Sequence, residues 1–231
     1  MRFVALLWIA LACAVAAQEP AQPQGPVVVT VGEATVRVAP DRAFVMVSVE
    51  TRAKSPRDAQ RMNAEAMTAV QQRLTQARIA KDAIRTTGYD LQQEFDFVQG
   101  RRVLREFVAR NGIEVRVDDI ARTGEILDAS VQSGATSVSG IRFDLQDRAS
   151  VEREALRLAV ADARARAEAA ASGGGRAIDR VLRIEDSRDG GVIPPRPMMT
   201  MARTAEGVAQ TPVEPGTIEI HARVTLTASM K

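Results

Sequence analysis

The sequence contains one cysteine, Cys13, and one histidine, His221, and its charges nearly cancel, with 31 Lys and Arg against 29 Asp and Glu in 231 residues. Each shortage excludes something. A single thiol cannot build a disulfide framework. A single imidazole leaves a hydrolase or transferase little choice of general base. A formal net charge of +2, with Arg interleaved among Asp and Glu, makes mixed solvated faces and not the basic stripe that a phosphate backbone requires, so no nucleic-acid partner is expected. Beyond the N terminus no run of 18 apolar residues occurs, so the mature chain is expected to have no transmembrane helix. What is present suffices for a core: 45% of residues are hydrophobic. A domain of this size buries roughly 70% of the surface that its unfolded chain exposes, without help from metal or disulfide.

The N terminus has the form of an export signal. Met1-Arg2 precedes fifteen uncharged residues, Phe3 to Ala17, which end in Ala14-Val15-Ala16-Ala17 before Gln18 and Glu19. That stretch is short for a membrane span of about 20 residues, and small residues at Val15 and Ala17 suit signal peptidase, so cleavage is expected after Ala17. The rival reading makes Cys13 a lipidated first residue, but Ala10 stands where Leu is usual and apolar residues continue beyond the cysteine. Cleavage after Ala17 removes the only thiol, which suits an oxidising periplasm. Residues 18–26, rich in Gln and Pro, read as a linker.

Residues 27–231 then read as one domain. Val27, Val29 and Val31 alternate on odd positions and Ala34, Val36 and Val38 on even ones, which predicts a β-bulge at Gly32. Ala43, Val45, Val47 and Val49 mark a second strand. Ser55-Pro56-Arg57-Asp58 opens a helix to about Ala77, with an inner stripe of Ala59, Met62, Ala66, Ala69, Val70, Leu74 and Ala77. Tyr89, Leu91, Phe95 and Phe97, the turn at Gln99-Gly100-Arg101-Arg102, and Phe107 to Val117 make a long hairpin. Asp118 or Asp119 caps a shorter helix with Ile120, Thr123, Leu127 and Val131 inward, ended by Gly134. A strand spans Ser137 to Leu145. A third helix, from near Arg148 to Ala171, carries alanines at 155, 159, 163, 167 and 171 and is stopped by Gly173-Gly174-Gly175. Strands at Val181–Glu185 and Ile218–Thr227 flank an excursion, 187–216, that holds five of the ten prolines. Thr87-Gly88-Tyr89 and Ser139-Gly140-Ile141, each after a helix, form a weak internal echo. The expected class is α+β, a largely antiparallel sheet with about three helices on one side.

Little of this chain looks chemical. His221 stands among Glu219, Arg223 and Thr225 on the outward face of the last strand, a solvated position. Gly173-Gly174-Gly175 follows a helix where a phosphate loop would open one. Asp118-Asp119 and Glu185-Asp186 are accounted for by caps and strand ends, with no calcium-loop spacing around them. No catalytic residue and no cofactor is expected. Met198, Met199 and Met201 suit a soft ion such as Cu(I) or reversible oxidation, and equally suit greasy anchoring of the excursion.

Several segments, in order, resemble the SIMPL-domain family: Val31-Gly32-Glu33 with Pro40-Asp41, Asp82-Ala83-Ile84-Arg85-Thr86-Thr87-Gly88-Tyr89, Gly124-Glu125-Ile126-Leu127-Asp128-Ala129, Gly134 to Ile141, Ala155 to Ala170, and Thr211-Pro212-Val213-Glu214-Pro215-Gly216. The resemblance spans Val27 to about Thr227. Glu106-Phe107 departs from the Gly-Tyr of many members, which puts the local edge geometry in question. The resemblance implies a secreted, periplasmic or outer-membrane-associated bacterial protein, an immunogen in some members, linked to oxidative-stress defence and able to form large channel-like homo-oligomers. It supplies no agreed catalytic residues. The expectation is therefore a non-enzymatic homo-oligomer that supports the envelope, built through strand edges and the excursion, with Pro194, Pro195, Met198 and Met199 as contact candidates. The alternative is a monomeric binding module for a soft metal ion or partner protein at Met198–Met201.

Overall fold

The third helix sets the geometry of one half of the molecule. In the computed structural model, which describes residues 25–187 and 211–231, Ala155, Ala159, Ala163, Ala167 and Ala171 of helix α3 (Arg148–Gly173) are all buried. A ridge of methyl groups lets the helix backbone lie close to the strands beneath it. Those strands are β1 (Val27–Val38), β6 (Ile178–Asp186) and β7 (Ile218–Met230), in the antiparallel order β1-β7-β6. Leu226, Ala228, Ile220 and Val28 pack against the ridge.

Gly32 is not at a bulge. The β1 register against β7 runs without a shift from Val27↔Ser229 to Val38↔Ile218. Even-numbered residues of β1 face α3 throughout, and Val27 and Val29 are exposed on the other side. The glycine is required by the helix: a Cβ there would stand 2.1 Å from the Ala159 carbonyl oxygen. The apparent change of parity came from valines that the fold leaves in water.

The second half is a four-stranded antiparallel sheet of β2 (Arg42–Ala53), β3 (Ile84–Val98), β4 (Arg101–Val117) and β5 (Ser137–Asp144), in the order β3-β4-β2-β5. Ala43, Val45, Val47 and Val49 of central β2 meet α1 (Pro56–Gln76) and α2 (Thr123–Gln132) in the main core. The fold is α+β, with its antiparallel strands divided between two sheets.

Local signals acted where expected. The Ser55 hydroxyl accepts the Asp58 amide at 3.1 Å, and Pro56 takes the first helical position. Asp119 caps a short 3₁₀ turn that leads into α2, and Gly134 has φ 110° after it. Two inner faces differ from expectation. Met62 is 41% exposed, and the buried α1 residues are Ala59, Asn63, Met67, Val70 and Leu74. Asn63 holds a core position because its amide donates to the Val49 and Ala109 carbonyls at 2.9 and 3.0 Å, so helix and two strands are joined by a satisfied donor. In α2 it is Ile126 that is buried, while Val131 points outward.

The internal echo has a structural counterpart. Strands β3 and β5 are the two outer strands of one sheet, and each shifts register beside its glycine, at Thr86/Gly88 and between Val138 and Gly140.

Candidate functional site

His221 lies on β7 directly opposite Thr35, facing away from α3. Its Nδ1 is 2.8 Å from the Thr35 hydroxyl, and its Nε2 is 3.6 Å from a Glu219 carboxylate oxygen. The trio imitates a hydroxyl-imidazole-carboxylate relay, but 3.6 Å is outside hydrogen-bond range, and Glu219 accepts from Arg37 Nε at 2.8 Å. The groups stand on the open face of a sheet, where water screens them. This is a surface polar chain.

The acidic pairs are similarly engaged. Burial works against ionisation of Asp118, yet hydrogen bonds from Arg42 at 2.7 Å and Arg116 at 3.1 Å hold its carboxyl below the usual range. Asp119 caps the 3₁₀ turn, and Glu185 is paired with Arg183. Among the described residues no group of three or more His, Cys, Asp and Glu is arranged to hold a metal ion. Gly173 ends α3 and Gly175 has φ 69°, the helix stop expected. An open groove of about 580 Å³ runs beside α1, lined by Gln71, Gln72, Thr75, Gln76 and Lys81, which offers amides, a hydroxyl and one amino group.

The face of the four-stranded sheet away from the helices is an ionic lattice. Glu114, nearly buried, receives Arg85 at 2.9 Å and lies 3.5 Å from Arg142, whose guanidinium stacks 4.0 Å over the Phe44 ring. Further along, Arg110 and Arg52 pair with Glu50, and the hydrogen bond from Arg110 chiefly holds that carboxyl below its ordinary range. Long Arg stems cover the sheet while their heads stay wet.

Several exposed apolar side chains lie on the outer strands. Val181, Leu182 and Ile184 of outer strand β6 are each 38–50% exposed. In β3, Tyr89, Leu91, Phe95 and Phe97 share the side on which α1 packs, because Tyr89 pairs with Asn111 and Asn111 with Val49 of the core. Helix α1 stops short of this outer strand, so Tyr89, Leu91 and Phe97 are exposed. The alternation that signals a strand was legible, and the missing cover was not. One signal was available: β3 and β4, with 15 and 17 residues, outrun the 12-residue β2 beside them.

After the excursion the chain returns to α2. The Thr211 hydroxyl donates to Asp128 at 2.7 Å, its carbonyl lies 2.5 Å from where a Gly124 Cβ would be, and Val213 joins the main core. The contact candidates Pro194, Pro195, Met198 and Met199, the soft-ion candidates Met198, Met199 and Met201, and also Cys13 and the cleavage site at Ala17, lie outside the described residues.

The 26 kDa periplasmic immunogenic protein of Brucella abortus (strain S19) is 32% identical over 173 residues, which cover 72% of this chain and 67% of the relative. Its counterpart in Brucella melitensis is 31% identical over the same length. The uncharacterized protein YggE of Escherichia coli (strain K12) is 25% identical over 148 residues, 64% of this chain and 60% of that relative. The model of the SIMPL family, described as a protein of unknown function (DUF541), matches residues 28–228, from the first strand through nearly all of the last. The chain belongs to the SIMPL family.

Proposed function

We propose that this is a non-enzymatic protein of the periplasm, exported by residues 1–17, whose single domain, 27–231, follows the 18–26 linker and works by assembling with copies of itself. The homo-oligomer supports envelope integrity under oxidative stress and associates with the outer membrane. One observation carries the assembly: the outer edge of β6 is unpaired among the described residues and displays Val181, Leu182 and Ile184. An apolar open edge is a template for another strand unless something covers it. Pairing of this edge with the opposite edge of the sheet, β1, in a neighbouring copy is head-to-tail and generates a closed ring when the rotation between copies closes. The excursion 187–216 follows β6 directly in the sequence. Export is supported by the signal motif and by relatives that are named periplasmic. The non-enzymatic reading is supported by the engagement of His221 and of the acidic pairs in surface chains and caps.

The test is the absolute mass of mature protein, residues 18–231, by light scattering in line with size-exclusion chromatography at two concentrations. A stable mass many times that of the protomer is expected. L182K/I184K, which puts charge on the β6 edge, should reduce it to the protomer with an unchanged circular dichroism spectrum. A wild-type monomer at both concentrations overturns the assembly.

A further inference from the structure

The end of the β3–β4 hairpin stands clear of the rest of the molecule. Strand β2 pairs with β4 only as far as Ala53↔Phe107, and beyond that point β3 and β4 have only each other. Five residues of β3, Glu94 to Val98, span about 17 Å at roughly 3.4 Å per residue. Two-stranded ribbons are marginal in water, and this one carries apolar side chains into it: Phe97 is 74% exposed, Val98 54%, Val103 48% and Leu104 45%.

The distribution of charge along the ribbon is uneven. At its base the carboxylates face cations: Arg52 lies 3.7 Å from Glu94 and 3.5 Å from Glu106, and Arg105 lies 3.7 Å from Asp96. Lys54 adds a hydrogen bond to the Arg105 carbonyl at 2.8 Å. At the tip, Arg101 and Arg102 meet no carboxylate among the described residues, and Arg102 lies over the Phe95 ring at 4.1 Å. The turn itself, Gln99-Gly100 with φ 50° and 77°, carries no charge.

Both faces of the tip carry apolar side chains and a cation. Directly opposed residues share a face, so Phe97, Arg102, Phe95 and Leu104 form one side, and Val98, Arg101, Val103 and Asp96, whose carboxylate lies 3.7 Å from Arg105, belong to the other. Each side offers exposed hydrocarbon and one unpaired guanidinium. A protein surface would cover one side and leave the other wet. A medium that surrounds the tip satisfies both, and the boundary between lipid headgroups and acyl chains is such a medium, with phosphates for the guanidinium groups.

We propose that the β3–β4 tip is a membrane-surface contact, in which Phe97, Val98, Val103 and Leu104 enter the headgroup boundary of an anionic bilayer while Arg101 and Arg102 bind lipid phosphates. The depth is shallow, because the outer edge of a two-stranded ribbon has backbone N–H and C=O groups that hydrocarbon cannot satisfy. The proposal rests on the envelope location given above and not on self-assembly.

The experiment exploits a gap in composition: the only tryptophan, Trp8, is removed with the leader. In mature F97W the indole is the sole tryptophan, at a position outside every core cluster. Adding phosphatidylcholine vesicles that contain phosphatidylglycerol should shift its emission to the blue, and brominated acyl chains should quench it. Pure phosphatidylcholine should do so far less. In co-sedimentation of otherwise wild-type protein with the anionic vesicles, R101Q/R102Q should weaken binding roughly tenfold, and F97S/V103S by at least about as much, each with a wild-type circular dichroism spectrum. No shift and no sedimentation with either vesicle overturns the proposal. It is also overturned if the tip variants change the light-scattering mass while no vesicle binding occurs, since a second copy would then cover the tip. Vesicle binding by a protein that proves monomeric leaves this contact standing and removes only the assembly.

Discussion

Gly32 and Ala163 meet backbone to backbone across the interface of β1 and α3: a Cβ on Gly32 would fall 2.3 Å from the Ala163 amide nitrogen and 2.7 Å from its Cα. The neighbouring Thr30 hydroxyl donates to the Ala163 carbonyl at 2.7 Å. Together these contacts set the height of the helix above the three-stranded sheet. Gly32→Ala forces the two apart, and the atoms in the way are backbone, which cannot rotate aside. The expected cost is about 3 kcal/mol or more, the upper end of overpacking effects, read as a lowered urea midpoint. Gly88→Ala, where a Cβ meets nothing within 4 Å, should change the midpoint little.

Asn63 should be as sensitive as an apolar core residue. Its amide joins β2 and β4 to α1 through two carbonyls, and it is fully buried. Asn63→Ala removes two hydrogen bonds and leaves a cavity, at an expected cost of about 2–4 kcal/mol in equilibrium unfolding. Met62→Ala, one residue earlier and exposed, should cost much less.

Acid stability follows from carboxylates whose folded values lie below the ordinary ones. The hydrogen bond from Arg110 lowers Glu50, that from Arg122 lowers Glu125, both from 4.5, and the Glu33 backbone N–H lowers Asp162 from 3.8. A lowered folded value means that the unfolded chain binds protons first, so the contribution is complete above the ordinary value and is lost as pH falls through the folded one. The urea midpoint should therefore hold between about pH 7 and 5 and decline below that. The double variant E50Q/E125Q should start lower at neutral pH and decline less steeply. An unchanged acid slope in that variant would show that other groups control acid unfolding.

The return of the chain at Thr211 depends on α2. Asp128→Ala removes the acceptor of the Thr211 hydroxyl and amide, at 2.7 and 3.4 Å. Amide exchange at Thr211 and Val213 should accelerate roughly five- to tenfold, equivalent to about 1 kcal/mol for the lost hydrogen bonding. Protection in β7 should be unaffected. Gly124→Ala, which places a methyl group against the Thr211 carbonyl, should have the same effect from the opposite side.

Much of the fold was legible because its signals are local. Ser55 and Pro56 start α1 through contacts within one turn, Gly134 and Gly173 to Gly175 stop helices through backbone freedom, and the alanine repeat from 155 to 171 announces a close approach before its partner is known. The seven strands and three helices among the described residues follow from such patterns.

The tertiary structure decided which faces these elements bury, since periodicity marks an apolar face without saying what covers it. Val27 and Val29 repeat like core residues and lie in water, Asn63 breaks the stripe and is in the core, and Gly32 serves α3, 127 residues and more downstream, and not a local bulge. The alternation of Tyr89, Leu91, Phe95 and Phe97 specifies a strand in any environment, and only the positions of β2 and α1 leave it uncovered. Local residues choose conformation through their own dihedral angles and near neighbours, while burial depends on where distant segments end.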